Sequence, residues 1–226
     1  MDELLQKYKK VCFLNPMYKV IPTQFHQSML GLISQLYQNG FQVAGLMTDG
    51  SLIPTCRNSL VQAAHNLYEE DKPDIYLWVD SDQVFSFKDF MILLSHLDMS
   101  DEVHILSARY FTKNPNDPMV VAYTKDEAGY KSITPNLDNI QEVDAVGLGF
   151  CLVRPEVMEG LWEKHGKKQF MCSFFGDDVL GEDFYWCELV RQSGYRIYVD
   201  NTVTIGHFGV VLDERFLVRF KNDTQD

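Results

Sequence analysis

The sequence predicts an α/β fold: a mixed, mostly parallel sheet with helices on both faces. Short apolar runs alternate with stretches whose apolar residues recur every three to four positions, in a strand-helix-strand order through the first half. One run, Ile75-Tyr76-Leu77-Trp78-Val79, is apolar throughout, the pattern of a strand buried on both faces. Successive units of this kind close through right-handed crossovers and make parallel neighbours.

Each element has its own signal. Val11 to Leu14 is an apolar strand ending at Asn15-Pro16. Thr23 is an expected N-cap for a helix with Phe25, Met29, Leu30, Ile33 and Leu36 at helical spacing, and Asn39-Gly40 ends it. Phe41 to Met47 reads as a strand leading into Thr48-Asp49-Gly50. A helix is expected from about Pro54 to Tyr68, with Leu60, Val61, Ala64 and Leu67 on one face. The Ile75 run follows, then a helix from Phe87 to Leu97 capped by Ser86, then a strand from His104 to Tyr110.

The second half changes character. Asn114-Pro115-Asn116-Asp117-Pro118 reads as a loop, and Val120–Thr124 with Tyr130–Ile133 as a hairpin turning at Glu127-Ala128-Gly129. Val143 to Val153 reads as one long strand containing Gly147 and Gly149. Pro155 suits the first position of a helix. Glu182 to Gln192 reads as a helix closed by Ser193-Gly194. Strands are expected at Tyr195–Val199 and Val203–Ile205, and a last helix at Glu214–Phe220.

Composition removes several function classes. A formal charge of −12 over 226 residues lacks the basic surface that nucleic acid or an anionic membrane requires. No apolar run reaches the roughly 18 residues of a membrane span, and the acidic start Met1-Asp2-Glu3 is not a secretory leader, so no membrane insertion is expected. The five cysteines, Cys12, Cys56, Cys151, Cys172 and Cys187, are odd in number and widely spaced. They suggest core residues in a reducing, cytoplasmic setting rather than a disulfide framework or a zinc site. For a viral protein that setting would be the host cytoplasm.

The chemistry gathers at few places. Asp80-Ser81-Asp82 ends the buried strand, where open α/β sheets bind ligands. In a strand, positions i and i+2 point the same way, so both carboxylates could meet one hard cation, and the cation a diphosphate. A solvated turn is the plain alternative. Arg57-Asn58 opens a long helix, where the dipole and a planar donor fork favour an anion. Gly181-Glu182-Asp183 opens another, and one of its carboxylates could serve as a general base, although acidic first turns are common for dipole reasons alone. Gly206-His207 follows a β-run; imidazole nitrogen beside carboxylate oxygen suits Mn²⁺ better than Ca²⁺.

In this order, Arg57-Asn58, Asp80-Ser81-Asp82, Val146-Gly147-Leu148-Gly149-Phe150, Gly181-Glu182-Asp183 and Gly206-His207 resemble the GT-A (Rossmann-like) glycosyltransferases that use nucleotide-sugar donors. The layout is most similar to small family-2-like enzymes of bacteria, phages and large viruses. The resemblance implies a single catalytic domain over residues 1–226, with about 1–112 as the nucleotide-binding half and about 113–226 as the acceptor-side half. It implies a hexosyltransferase that moves a sugar from a nucleotide-sugar donor, UDP-linked by expectation, to a glycan or other acceptor hydroxyl. Asp82 and His207 would ligate a divalent metal, Mn²⁺ before Mg²⁺. Asp80 would contact that metal's water or the ribose. Asn15, Pro16, Asp49, Arg57, Asn58 and Ser81 would line the donor pocket. Gly149, with Gly147, would leave room for the donor sugar. Asp183 would be the base of an inverting transfer, with Glu182 beside it, and Tyr185 and Trp186 would either stack on a sugar or fill the core.

Two other classes remain open on the sequence. A sugar-1-phosphate nucleotidyltransferase would share the sheet and the metal but usually carries a Gly-rich, Arg-containing loop after the first strand. Here that position reads Asn15-Pro16-Met17-Tyr18-Lys19. A non-catalytic sugar-nucleotide-binding module would keep the aromatics and could lose the base.

Overall fold

A computed structural model describes residues 2–17, 21–114, 116–137, 139–175 and 178–208. In chain order, α1 (Asp2–Lys7), β1 (Lys10–Met17), α2 (Thr23–Gln38), β2 (Gln42–Asp49), α3 (Ile53–Asp71) and β3 (Ile75–Val79) make the first layer-forming units. A short β4 (Gln83–Val84), α4 (Phe87–Leu97) and β5 (Ile105–Arg109) follow. The second half contains β6 (Ala122–Asp126), β7 (Gly129–Ser132), β8 (Ile140–Val143), β9 (Ala145–Val146), β10 (Phe150–Val153) and α5 (Pro155–His165). It continues through β11 (Ser173–Phe175), β12 (Asp178–Leu180), α6 (Glu182–Gln192), β13 (Ile197–Thr204) and β14 (Gly206–His207). The expected helix at 214–220 lies outside the described residues.

The main sheet has seven strands in the order β2-β1-β3-β10-β5-β13-β8. β2, β1 and β3 are mutually parallel, as are β5 and β13, while β10 runs antiparallel between β3 and β5, and β8 antiparallel beside β13. Five strands therefore point one way and two the other, the mixed, mostly parallel layout expected. Both halves of the chain contribute strands to this one sheet.

The two faces are read directly from the strand alternation. Cys12, Leu14, Tyr76 and Trp78 face a core closed by α3, α5 and α6, through Leu60, Val157, Leu161 and Trp186. Val11, Phe13, Ile75, Leu77 and Val79 face a second core closed by α2 and α4, through Leu32, Leu36, Phe90 and Leu94. All five residues of β3 are buried, as its apolar run requires. β2, at the sheet edge, is half-open.

Local chemistry sets the boundaries. Ser86 caps α4 in a reciprocal box with Asp89: its hydroxyl accepts the Asp89 N–H at 3.3 Å, and its own N–H donates to Asp89 Oδ2 at 2.8 Å. Such a cap is worth about 1 kcal/mol. Thr23 does not cap α2; it is the first helical residue, and Pro22 takes the cap position without a side-chain bond. The long strand expected at 143–153 is three pieces, β8 at the sheet edge, β9 paired with β6 in a small sheet, and β10 inserted between β3 and β5. Its glycines are where the chain leaves one sheet for another. The two short strands expected at 195–205 are one, β13, with a register irregularity against β5 between Asp200 and Thr204.

Cys12, Cys56, Cys151 and Cys187 are buried free thiols, whereas Cys172 is exposed rather than part of the core. Among the described residues, no helix is long and apolar enough to cross a membrane.

Candidate active site

The C-terminal ends of β1 and β3 meet the first turns of α3 and α6. Asn15, buried at the end of β1, donates its side-chain amide to the Val79 carbonyl and ties the two strand ends together. Beside this tie lies a cavity of about 200 Å³. Pro16, Ile53, Arg57, Asp80, Ser81, Asp82, Glu182 and Asp183 line it. Residues separated by more than 150 positions are thus brought to one wall by sheet topology.

Arg57 is the centre of this site. Its side chain is only 3% exposed, and three carboxylates surround it. Nη2 donates to Asp80 Oδ1 at 3.1 Å and lies 3.3 Å from Asp183 Oδ1, while Nε lies 3.3 Å from Glu182 Oε1. The last two are ion pairs without hydrogen-bond geometry, so Arg57 Nε and Asp183 Oδ1 remain buried without a hydrogen bond. The guanidinium carbon also lies 5.5 Å from the Trp78 ring centre and 5.7 Å from that of Phe170. Burial opposes the guanidinium charge, but Asp183, Asp80 and Glu182 outweigh it and raise its pKa.

One cation cannot neutralise three anions. The excess appears at Asp183, whose carboxyl is pushed up to about 7 by burial, with Glu182 and Asp80 adding to the rise and Arg57 opposing it. Asp80 is raised too, by burial first, with Asp82 and Glu182 adding to the rise and Arg57 again opposing it. Asp183 stands in the first turn of α6 with a quarter of its side chain (25%) open.

Asp80 and Asp82 part company. β3 ends at Val79 and residues 80–82 form a turn, so strand alternation does not aim both carboxylates at one point. Asp80 turns to Arg57, and its N–H donates to the Gly149 carbonyl at 3.0 Å. Asp82 Oδ2 instead accepts from Lys113 Nζ at 2.5 Å and faces His207 Nε2 at 3.4 Å. Burial opposes ionisation of Asp82, but the neighbouring His207 imidazole and the Lys113 ammonium outweigh it and hold its pKa at about 2.

His207 reaches Asp82 through backbone pairing. β14 runs antiparallel to β4, with His207 opposite Gln83, and the Phe208 N–H donates to the Asp82 carbonyl at 2.7 Å. His207 Nδ1 lies 2.7 Å from the Phe111 carbonyl. A carbonyl only accepts, so Nδ1 carries the hydrogen and Nε2 is left towards Asp82. A backbone bond of this kind orients metal-binding histidines. Among the described residues, no group of three His, Cys, Asp or Glu side chains converges to hold a metal; Asp82 and His207 form a pair.

Other expected site residues lie elsewhere or are otherwise engaged. Asp49 is exposed at the end of β2 and does not line the cavity. The Asn58 side chain accepts the N–H groups of Gln169 and Phe170, both at 2.9 Å, and donates to the Phe170 carbonyl at 2.8 Å; it fastens a loop. Trp186 is fully buried and stacked on Phe170 at 5.8 Å, a core residue, and Tyr185 packs against the same core.

The room at Gly147 and Gly149 is taken by a residue missed in the sequence, Tyr110. A Cβ at Gly147 would fall 2.0 Å from its hydroxyl, and one at Gly149 would fall 2.8 Å from its ring. The hydroxyl accepts the Gly149 N–H at 3.1 Å, and the ring meets His207 edge-on at 5.5 Å. Burial, then Asp80 and Asp183, raise its pKa well above the usual tyrosine value. The glycine pair was the legible signal of a close approach; what approaches was not. Lys113 was likewise unforeseen, since it sits in a loop with no motif around it.

No protein-family profile matches this sequence, and no curated protein matches it. Among solved structures, the A197 protein from STIV is similar, with a TM-score of 0.53 and 20% identity over 91% of this chain and 87% of that one. That likeness shows a shared fold. The catalytic domain of Drosophila β1,4-galactosyltransferase 7, in complex with xylobiose, gives a TM-score of 0.49 at 14% identity over 92% of this chain and 73% of that one. A mutant of the same Drosophila enzyme, in complex with manganese, UDP-Gal and xylobiose, also gives 0.49 at 14% identity, over 96% and 80%.

Proposed function

We propose that this chain is a metal-dependent glycosyltransferase of the GT-A type, moving a sugar from a nucleotide-sugar donor, UDP-linked, to an acceptor hydroxyl with inversion. One observation carries the reading. A carboxyl with its pKa near 7, Asp183, lines the same small cavity as Asp82, the carboxylate facing His207.

Asp82 and His207 fit a divalent cation by donor chemistry: an ionised carboxylate oxygen faces an imidazole nitrogen whose partner nitrogen is fixed by a backbone carbonyl. Mn²⁺ suits this mixed set, and Mg²⁺ is the second candidate. When bound, such a cation supplies Lewis-acid neutralisation of a diphosphate leaving group.

The remaining chemistry belongs to side chains. The acceptor hydroxyl gives its proton to the Asp183 carboxylate as its oxygen bonds to the anomeric carbon. The bond from that carbon to the diphosphate breaks, and the electron pair leaves with the nucleotide. A base is most effective when its pKa lies near the working pH, which burial and two neighbouring carboxylates arrange for Asp183. Arg57 acts as a positioning residue, holding Asp80, Glu182 and Asp183 at fixed places around one planar fork. Its charge is committed to them, which leaves it less suited to the diphosphate than the sequence suggested. Asn15 and Pro16 support the donor side of the cavity.

The test is nucleoside diphosphate release from a panel of nucleotide sugars, with and without Mn²⁺, in the presence of varied acceptors. Metal-stimulated release that Asp183→Asn lowers by about 10²- to 10⁴-fold is the expected result. Absence of release from every donor in the panel overturns the reading.

A further inference from the structure

We propose that Lys113 shares the Asp82 site with the divalent cation: its ammonium competes with the cation for Asp82, and on release contacts the diphosphate of the bound nucleotide. This rests on the nucleotide-sugar reading above.

The geometry is specific. Lys113 Nζ is 2.5 Å from Asp82 Oδ2, the same oxygen that His207 Nε2 faces at 3.4 Å. One carboxylate oxygen cannot hold an ammonium at that distance and a doubly charged cation together without strong repulsion between like charges. Cation binding therefore requires the ammonium to leave.

The backbone keeps it near. Phe111 pairs with Val120, the Thr112 N–H donates to the Met119 carbonyl at 2.8 Å, and the Met119 N–H donates to Thr112 Oγ1 at 3.1 Å. The Phe111 carbonyl also accepts from His207. The bridged segment that aims His207 at Asp82 thus also anchors the root of Lys113. The lysine side chain itself is 48% exposed, so its stem can swing while its root stays fixed.

A released ammonium beside a cation-bound diphosphate has an obvious partner. Lysine is a compact charge with three donors and suits phosphate oxygens. The chain carries a net charge of −12, and Arg57 is already outnumbered by three carboxylates. Lys113 borders Asp82 without that burden.

The experiment measures binding, not turnover. Mn²⁺ affinity is read by electron paramagnetic resonance without nucleotide, and UDP affinity by calorimetry at saturating Mn²⁺, for the wild type, Lys113→Met and Lys113→Arg. Lys113→Met should bind Mn²⁺ several-fold more tightly and UDP about tenfold more weakly, the effect of losing one charged hydrogen bond. Lys113→Arg should restore most of the UDP affinity. Unchanged affinity for both ligands in Lys113→Met, beside a wild type that binds both, overturns the role of Lys113 alone. Tighter Mn²⁺ with unchanged UDP overturns the diphosphate contact. A wild type that binds neither Mn²⁺ nor UDP overturns the glycosyltransferase reading and this inference with it.

Discussion

His207 donates its Nδ1 hydrogen to the Phe111 carbonyl at 2.7 Å, which leaves Nε2 facing Asp82 Oδ2 at 3.4 Å. A residue near the end of the described chain is thereby oriented by one in an isolated β-bridge almost a hundred positions earlier.

If that orientation serves a cation, His207→Ala should weaken Mn²⁺ binding by at least the 10- to 100-fold typical of losing even an orienting partner of a metal-binding histidine. Titration of Mn²⁺ into the wild type and the variant measures it. Equal affinity in the two would remove His207 from the metal pair.

Asp183 makes a signed prediction about pH. Its folded pKa is about 7 against an ordinary value of 3.8, so between about pH 4 and 7 the folded state binds more protons than the unfolded state. Stability from this group therefore falls as pH rises through that window and is flat above it. Asp183→Asn removes the ionisation and should be more stable than the wild type at pH 8, by on the order of 2–4 kcal/mol. The advantage should shrink towards pH 4. Denaturant melts at both pH values test this, and a variant less stable than the wild type at pH 8 would contradict it. In turnover, the wild type should gain kcat/KM up to about pH 7 and then level off.

Arg57 stands between three carboxylates, and Arg57→Met leaves them facing one another without a cation. Removing one partner from a buried ion cluster costs about 3–5 kcal/mol. Low pH should recover part of the loss, because protonation relieves the repulsion. Arg57→Lys should fall between the two, since a single ammonium cannot present the fork that reaches all three. Unfolding free energies at pH 5 and pH 7 give the comparison; a loss independent of pH would point to packing on Trp78 and Phe170 instead.

Gly149→Ala should destabilise the protein by about 1–3 kcal/mol, because the new methyl would fall 2.7 Å from Gln83 Nε2 and 2.8 Å from the Tyr110 ring. Pairing it with Tyr110→Leu should recover part of that cost. A double variant no better than the sum of the single changes would show that Gln83, not Tyr110, sets the crowding.

Much of this was legible before the fold was known. Helix α6 has the bounds its apolar spacing and Gly181 and Ser193-Gly194 flanks indicated, and α4 begins after Ser86 as its capping pattern indicated. Arg57, Asp80, Asp82, Glu182 and Asp183 line one cavity, a grouping that only the family resemblance implied and no single motif indicated. The partners of these residues did not follow. Asn58 reads as a pocket residue because it adjoins Arg57, yet consecutive helical positions lie about 100° apart, and Asn58 points to the Gln169–Phe170 loop.

What the sequence by itself determined is the alternation of elements, the both-faces-buried strand β3 and the chemical types at the ends of its neighbours, because periodicity and composition are local. What only the tertiary structure decided is the division of the Asp80–Asp82 pair. The strand ends at Val79, one carboxylate turns to Arg57, and the other goes to Lys113 and His207. Those partners come from a helix start, a loop and a two-residue strand that lie up to 125 positions away along the chain. Charge pairing over such separations depends on sheet order and register, which no local pattern in the sequence records.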